Sequence, residues 1–332
     1  MRAIVAALLL FFLSPRERAG VRASTPPTHS PRVWVSNERA GTVSVIDSAT
    51  DRVVSTVTVG GRPRGIQVAP DGRTIYVAVS NAAGRERGVR EGIVAIDAET
   101  GRVRTRYDSG TDPEQFGVGR DGSRLYVSNE DAGTASVTDV SSGKVVATLV
   151  VGIEPEGVAV SPDGRWVYVT AETSNTVSVI DARRNRVAAS FLVDPRPRAA
   201  TFSPDGTRAY VTAELGQSLS VVDARRHEVL RTIRLDAAMR PCGVVTSRDG
   251  RRLYVAAGRG NRVLVLDAAS GRLQATVPVG SRVWGIALTP DGRKLYAANS
   301  LSNDVSVIDT RTNRVVSTIA AGDGPWGVAI AR

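Results

Sequence analysis

The residues best placed to do chemistry in this sequence recur as pairs flanking a proline or a valine. Arg62-Pro63-Arg64, Asp112-Pro113-Glu114, Glu154-Pro155-Glu156, Arg196-Pro197-Arg198, Arg240-Pro241-Cys242, Arg282-Val283-Trp284 and Gly324-Pro325-Trp326 follow one another along the chain. Paired carboxylates can hold a hard cation. Paired arginines can hold carboxylate or phosphate, and a tryptophan face can stack on a cation. The usual proton shuttles are scarce. The 332 residues hold two histidines, His29 and His227, and one cysteine, Cys242. That excludes an internal disulfide framework and a multi-cysteine metal site, and it argues against His-dependent hydrolysis or haem ligation. No Gly-rich phosphate loop, zinc motif or Ser-His-Asp arrangement is present.

These pairs occupy one place in a repeat, and the repeat must position them. An Asp closing a Val-x-Val-Ile-like segment recurs at Asp47, Asp97, Asp139, Asp181, Asp223, Asp267 and Asp309, at intervals of 50, 42, 42, 42, 44 and 42. Asp-Gly recurs at Asp71, Asp121, Asp163, Asp205, Asp249 and Asp291 with the same period. An aromatic recurs at Trp34, Tyr76, Tyr126, Tyr168, Tyr210, Tyr254 and Tyr296. Each unit holds four short segments of β-branched and aromatic character with period-two alternation, and none shows helical periodicity. Ser161-Pro162-Asp163-Gly164 carries the chemistry of a type I turn, and each strand-ending Asp can accept a backbone N–H two residues on. Seven units of four strands predict a seven-bladed β-propeller of antiparallel blades. The chain enters at a second strand, Val33 to Ser36, and leaves at a first strand, Trp326 to Ile330. The C-terminal strand is therefore expected to complete blade one as its innermost strand.

Composition agrees with a globular chain, at 42% hydrophobic and 23% charged residues. Residues 1–23 read as a signal peptide: Arg2 is a positive start, Ile4 to Leu13 is apolar, and Val21-Arg22-Ala23 offers a cleavage site near Ala23. Ten apolar residues make about 15 Å of helix against a bilayer core of about 30 Å, so no membrane span is expected. Residues 24–32 form a Pro-rich tail, and residues 33–332 are expected to form a single propeller domain. Cleavage would lower the net charge from +10 to +7. The excess is arginine, with 41 Arg against Lys144 and Lys294. Much of it falls in turns of the far face, such as Arg183, Arg184, Arg225 and Arg226. Nucleic acid held this way would be released by salt, and a solvated basic surface is the simpler reading.

The Tyr126-Val-Ser128 and Tyr168-Val-Thr170 units resemble the YVTN-type propeller repeat family over about residues 33–330. Within it, the stretches Arg62-Pro-Arg-Gly65, Asp112-Pro-Glu-Gln-Phe116, Glu154-Pro-Glu-Gly-Val158, Arg282-Val-Trp-Gly285, Ser302 to Asp309 and Pro325-Trp-Gly-Val328 are similar to the β-propeller proteins associated with PQQ-dependent catabolism. The resemblance implies export to the periplasm beside PQQ-dependent alcohol dehydrogenases, c-type cytochromes and transporters. It implies no particular reaction. The link Leu235 to Pro241 is shorter than that family's pattern, so any function carried by a longer loop there is in doubt.

Seven copies provide their own control. What every copy has is explained by the blade, so the repeated Asp, Asp-Gly and aromatic residues are structural. What differs at matched positions is a candidate for function. Seven residues before each Asp-Gly stand Arg64, Glu114, Glu156, Arg198, Cys242 and Trp284, with Trp326 at the matching place; two residues earlier stand Arg62, Asp112, Glu154, Arg196, Arg240, Arg282 and Gly324. The loops between second and third strands add Glu38, Glu130, Glu172 and Glu214 to the same mouth. Two readings stay open. The charges form a ring of ion pairs that orients loops, or, with Trp284 and Trp326, they form a recognition site for a periplasmic protein or a small charged ligand. A cation held by Asp112, Glu114, Glu154 and Glu156 would have oxygen donors, but the spacing matches no known loop, so no metal is assigned. No cofactor is expected, Cys242 reads as a quiet buried thiol, and the chain is expected to be a monomer. The alternative is a His-independent enzyme, lactonase-like or quinoprotein-like, in the same channel.

Overall fold

Every segment with β-branched and aromatic alternation forms a strand, and no helix occurs among the described residues. The computed structural model describes residues 30–81 and 88–331. The expected signal peptide, most of the Pro-rich tail with His29, and most of the Gly84–Arg90 loop lie outside them. The strands form seven four-stranded antiparallel sheets. Blade four, for example, runs outward from Pro155–Val160 through Trp166–Ala171 and Thr176–Asp181 to Arg186–Leu192.

The ring closes as the repeat phase requires. Pro325–Ala331 pairs antiparallel with Arg32–Asn37, with Val33 opposite Ile330 and Trp34 opposite Ala329. This places the C-terminal strand innermost in blade one. The edge left open in each sheet is its outer strand, short and half exposed.

The core lies between blades. Tyr168, Val177 and Val179 of blade four pack on Phe202, Ala209, Val211 and Val222 of blade five. All seven repeated aromatics are buried. The polar repeats do local work at the turns. Asp47 Oδ1 accepts the N–H groups of Ala49 and Thr50 at 2.8 and 3.0 Å, and Asp163 Oδ1 accepts that of Arg165 at 3.0 Å.

The inner strands crowd the axis. A Cβ on Gly157 would collide with the Arg198 carbonyl and stand 2.9 Å from the Ala199 Cα; one on Gly285 would meet the Trp326 carbonyl and stand 3.0 Å from the Gly327 Cα. The Ser or Thr of the second strand stitches these neighbours together. Thr170 Oγ1 accepts the Gly157 N–H at 2.8 Å and donates to the Arg198 carbonyl of the next blade at 3.2 Å. Ser36, Ser128 and Thr212 do the same toward the carbonyls of Arg64, Glu156 and Cys242, at 2.6, 2.6 and 2.5 Å.

Removing Pro325–Arg332 should abolish cooperative thermal unfolding followed by circular dichroism, because blade one loses its inner strand and the ring its seam. An unchanged melting curve would refute the closure. Gly157→Val should cost about 3 kcal/mol by overpacking the interface of blades four and five, read as a fall in Tm; an equal Tm would show that the inner strands can part.

Candidate functional site

The residue before each inner strand holds a backbone conformation that L-residues seldom adopt. Asp112, Glu154, Arg196, Arg240 and Arg282 have φ between 45° and 62°, and Gly324 has 73°. Such residues cost about 1–3 kcal/mol each unless their surroundings impose them. Here a hydrogen bond does so. The carbonyls of Asp112, Glu154, Arg196 and Gly324 accept the N–H groups of Glu130, Glu172, Glu214 and Glu38 at 3.1, 2.9, 2.8 and 2.7 Å. The Arg240 and Arg282 carbonyls accept from Gly258 and Ser300 at 3.0 Å, so in six blades the hairpin between the second and third strands is clamped onto the start of the inner strand. The two series of side chains marked by the repeat meet on one face for this reason.

The next residues make a β-bulge, as the register shift between Pro155 and Val158 shows, and equivalent shifts occur in every blade. The bulge directs one side chain of each pair toward the axis and leaves the other at the rim. Glu114 is fully buried, and Glu156, Arg198, Cys242 and Trp326 are buried with it. Arg62, Glu154, Arg196, Arg240 and Arg282 are more exposed at the rim, whereas Asp112 departs from this rule and is buried.

Two arginines organise the inner tier. Arg64 of blade two meets Glu38 of blade one at 2.9 Å, the Glu114 carboxylate of blade three, and Glu130 at 3.7 Å. Arg62 adds a second contact to Glu38 at 2.6 Å. Arg198 of blade five meets Glu156 at 3.1 Å, Glu172, and Glu214 at 2.8 Å. Arg196 supports Glu172 at 2.6 Å, and Arg282 lies 3.6 Å from Glu214. Arg240 enters no ion pair among the described residues. Across the mouth, the Trp284 and Trp326 rings stack with centroids 5.7 Å apart and planes 21° apart. The Arg282 and Arg198 guanidinium carbons stand 4.7 and 5.1 Å from the Trp284 centroid. Arg198 therefore reaches from blade four to blade seven, passing the small Cys242 of blade six. At the mouth a pocket lies between blades six and seven, lined by Arg259, Ser281, Arg282 and Trp284. Along the inner strands lies a cavity of about 410 Å³ lined by Gln67, Gln115, Val158, Val245 and Leu288.

Burial and charge then sort the titrating groups. Burial pushes Glu38 and Glu214 upward, but Arg64 and Arg62 outweigh it at Glu38 and Arg198 and Arg282 at Glu214, so both carboxyls sit below their usual range. Burial opposes the charge of Arg198, yet Glu156, Glu172 and Glu214 raise its pKa further still. Glu172 moves the other way: burial, then the Glu156 carboxylate, push it up to about 8, and the two share a hydrogen bond. Glu130 is raised by burial and then by Glu156, with Arg64 opposing. Burial and then Glu214 push the Cys242 thiol up to about 12, which leaves it a poor nucleophile.

The residues singled out from the repeat lie at one mouth. Two participants were not singled out. Arg39, on the blade one hairpin, bonds Asp323 at 2.8 Å, the Ser300 carbonyl at 2.7 Å and Asn303 at 3.0 Å, tying blade one to blade seven. Glu91 accepts the Asp112 N–H at 3.0 Å. Arg39 was readable as the neighbour of Glu38; Glu91 follows the irregular loop of blade two and breaks the repeat spacing. His227 lies in a turn of the far face, where its Nδ1 is 2.7 Å from the Tyr168 hydroxyl and its ring is edge-on to Trp166.

Several solved structures share this fold. Hydrazine synthase of Kuenenia stuttgartiensis aligns with a TM-score of 0.75 at 23% identity, covering 90% of this chain and 99% of that one. A functionally unknown protein of Desulfotomaculum acetoxidans aligns at 0.78 and 18%, covering 91% and 99%. A candidate 6-phosphogluconolactonase of Bacteroides uniformis aligns at 0.76 and 19%, covering 91% and 100%. At these identities the likeness concerns the fold. No curated protein matches the chain. The model of the cytochrome D1 heme domain matches residues 208–327. A haem iron takes His, Met, Cys or Tyr as axial ligand. Among the described residues the one histidine is on the far face, Cys242 is buried, and Met239 packs into the core between blades five and six. The mouth residues thus do not fit a haem. The choice-of-anchor I domain model matches residues 28–194, just over half of the sequence, and the chain belongs to that family.

Proposed function

We propose that this protein is an exported binding propeller, accessory to periplasmic PQQ-linked oxidative metabolism, that recognises a partner protein or small charged ligand at the rim of its mouth. One observation carries the reading. The backbone clamp recurs, while the rim side chains it holds differ in sign: acidic at Glu154, basic at Arg196, Arg240 and Arg282. A purely structural ring has no need of the unpaired Arg240 or of an exposed Glu154. The inner tier, with Glu114 buried against Arg64, Glu156 against Arg198 and Trp326 against Trp284, supplies stiffness. Arg282 and Arg198 already provide the cation beside Trp284, so the tryptophan pair supports the rim more than it faces a ligand. Family membership, the apolar run after Arg2 and the resemblance to PQQ-associated propellers support export and context. No helix of the described residues is long and apolar enough to cross a membrane.

The rim reading is tested by charge reversal at Glu154 and Arg240, both clear of the buried tier. Binding of the purified chain to PQQ-dependent alcohol dehydrogenase and c-type cytochrome from the same source is followed by biolayer interferometry. Glu154→Lys with Arg240→Glu should slow association about tenfold or more at low salt, with Tm unchanged. Wild-type and variant traces that coincide, or no binding by either, would overturn it.

A second reading has one observation in its favour. Glu172, pushed up to about 8 by burial and then by the Glu156 carboxylate, lies beside Arg198, and a carboxyl raised to near neutral pH is suited to a general acid. The same property sets a stability signature. The folded chain holds the Glu172 proton through a window in which an unfolded glutamate has lost it, so its contribution fades as pH rises from about 4.5 towards 8. Glu172→Gln should flatten that decline, and the Tm difference between variant and wild type should grow in the variant's favour across this window. Parallel Tm profiles would show that Glu172 is not raised. Turnover of lactones or alcohols lost in the same variant would favour the enzyme.

A further inference from the structure

The acidic arc of the mouth is left with more charge than the protein neutralises. Glu114 and Glu130 share the single guanidinium of Arg64, which is also engaged by Glu38, while Glu154 and Glu156 add to the negative field at Glu130. One carboxylate oxygen each of Asp112, Glu114 and Glu130 lies within 4.8 Å of the others. Oxygen ligands at about 2.3–2.6 Å from a common centre span that separation.

Clustering alone would mean little. Independent of it is the bonding state of the two buried members. Asp112 is 9% exposed and Glu114 is fully buried. Asp112 Oδ1 and Glu114 Oε2 are shielded from water and accept no hydrogen bond, while Glu114 Oε1 lies against Arg64. The Asp112 carboxylate also enters no ion pair among the described residues. A buried carboxylate without a partner is costly, and Asp112 is held there by an unusual backbone, with φ at 45° and its N–H on Glu91.

We propose that Asp112, Glu114 and Glu130 bind a divalent cation of the calcium type. The donors are all carboxylate oxygens, which disfavours zinc and other metals that seek nitrogen or sulfur. Magnesium keeps most of its water and gains little from a cage of protein carboxylates, whereas calcium tolerates irregular oxygen shells. The ion would tie the Glu130 hairpin to the start of the inner strand and halve the negative excess of the arc. The trio differs from the Asp112, Glu114, Glu154, Glu156 set considered from spacing. Glu130, brought in by its N–H bond to the Asp112 carbonyl, takes the place of the blade four residues. The proposal does not depend on the mouth recognising a partner.

The test uses the chelator-stripped full chain and calcium, magnesium and manganese chlorides alone, by titration calorimetry and thermal melting. Calcium should bind one to one and raise Tm by about 4 °C at a hundredfold excess over Kd. Asp112→Asn keeps a residue that tolerates positive φ and removes an unpartnered charge. It should raise the Tm of the stripped protein and weaken calcium binding about tenfold or more. Glu130→Gln, at a half-buried site, should weaken it similarly, while Glu172→Gln should leave it unchanged. Flat heats with all three metals at about 1 mM would overturn the site, and so would calcium affinity unaltered in both Asp112→Asn and Glu130→Gln.

Discussion

Everything at this mouth depends on how closely seven inner strands can approach one axis. Gly157, Gly285 and their counterparts leave room for backbone against backbone, and a hydroxyl from the second strand bridges each pair of neighbours. That crowding brings side chains from non-adjacent blades within reach. Arg198 touches carboxylates of blades four and five and the ring of Trp284 in blade seven only because the circle is small and Cys242 is short. Blade five carries Ala199 where blade four has Gly157, so the spacing is not uniform around the ring.

The same approach explains why the mouth is stiff. Charged groups in water form pairs of little value, but these are drawn out of solvent by their neighbours. Around Arg198 burial and the Glu156 carboxylate raise Glu172; around Arg64 Asp112 Oδ1 is left without a hydrogen bond. Both are departures from simple charge balance, and they sit on the arc facing the tryptophan stack.

Much of this was readable from spacing. Three markers with one period imposed the blade count, and the phase of the first and last segments implied the seam between Val33 and Ile330. The face on which Arg64, Glu114 and Trp326 would meet also followed, since matched positions of a repeat share an end of the blade. What did not follow is who pairs with whom. Trp326 looked like a free surface because its place in the loop says nothing of the ring stacked on it. Asp112 looked equivalent to Glu154, yet one is buried and the other exposed, and only Asp112 donates its N–H to Glu91, which follows the irregular loop of blade two. The Ser and Thr of the Tyr-Val-Ser and Tyr-Val-Thr units were visible as a signature; their part as ties between blades depends on a carbonyl of the following repeat.

The seam also fixes a direction. Arg32 lies opposite Ala331 and Asp47, at the end of blade one farthest from Glu38 and the mouth. Residues 30 and 331, the first and last described, therefore both lie at the turn face. A tether at either end, whatever its nature, would hold the disc by its back and turn the ring of mixed charge outward, away from the surface to which it is fastened.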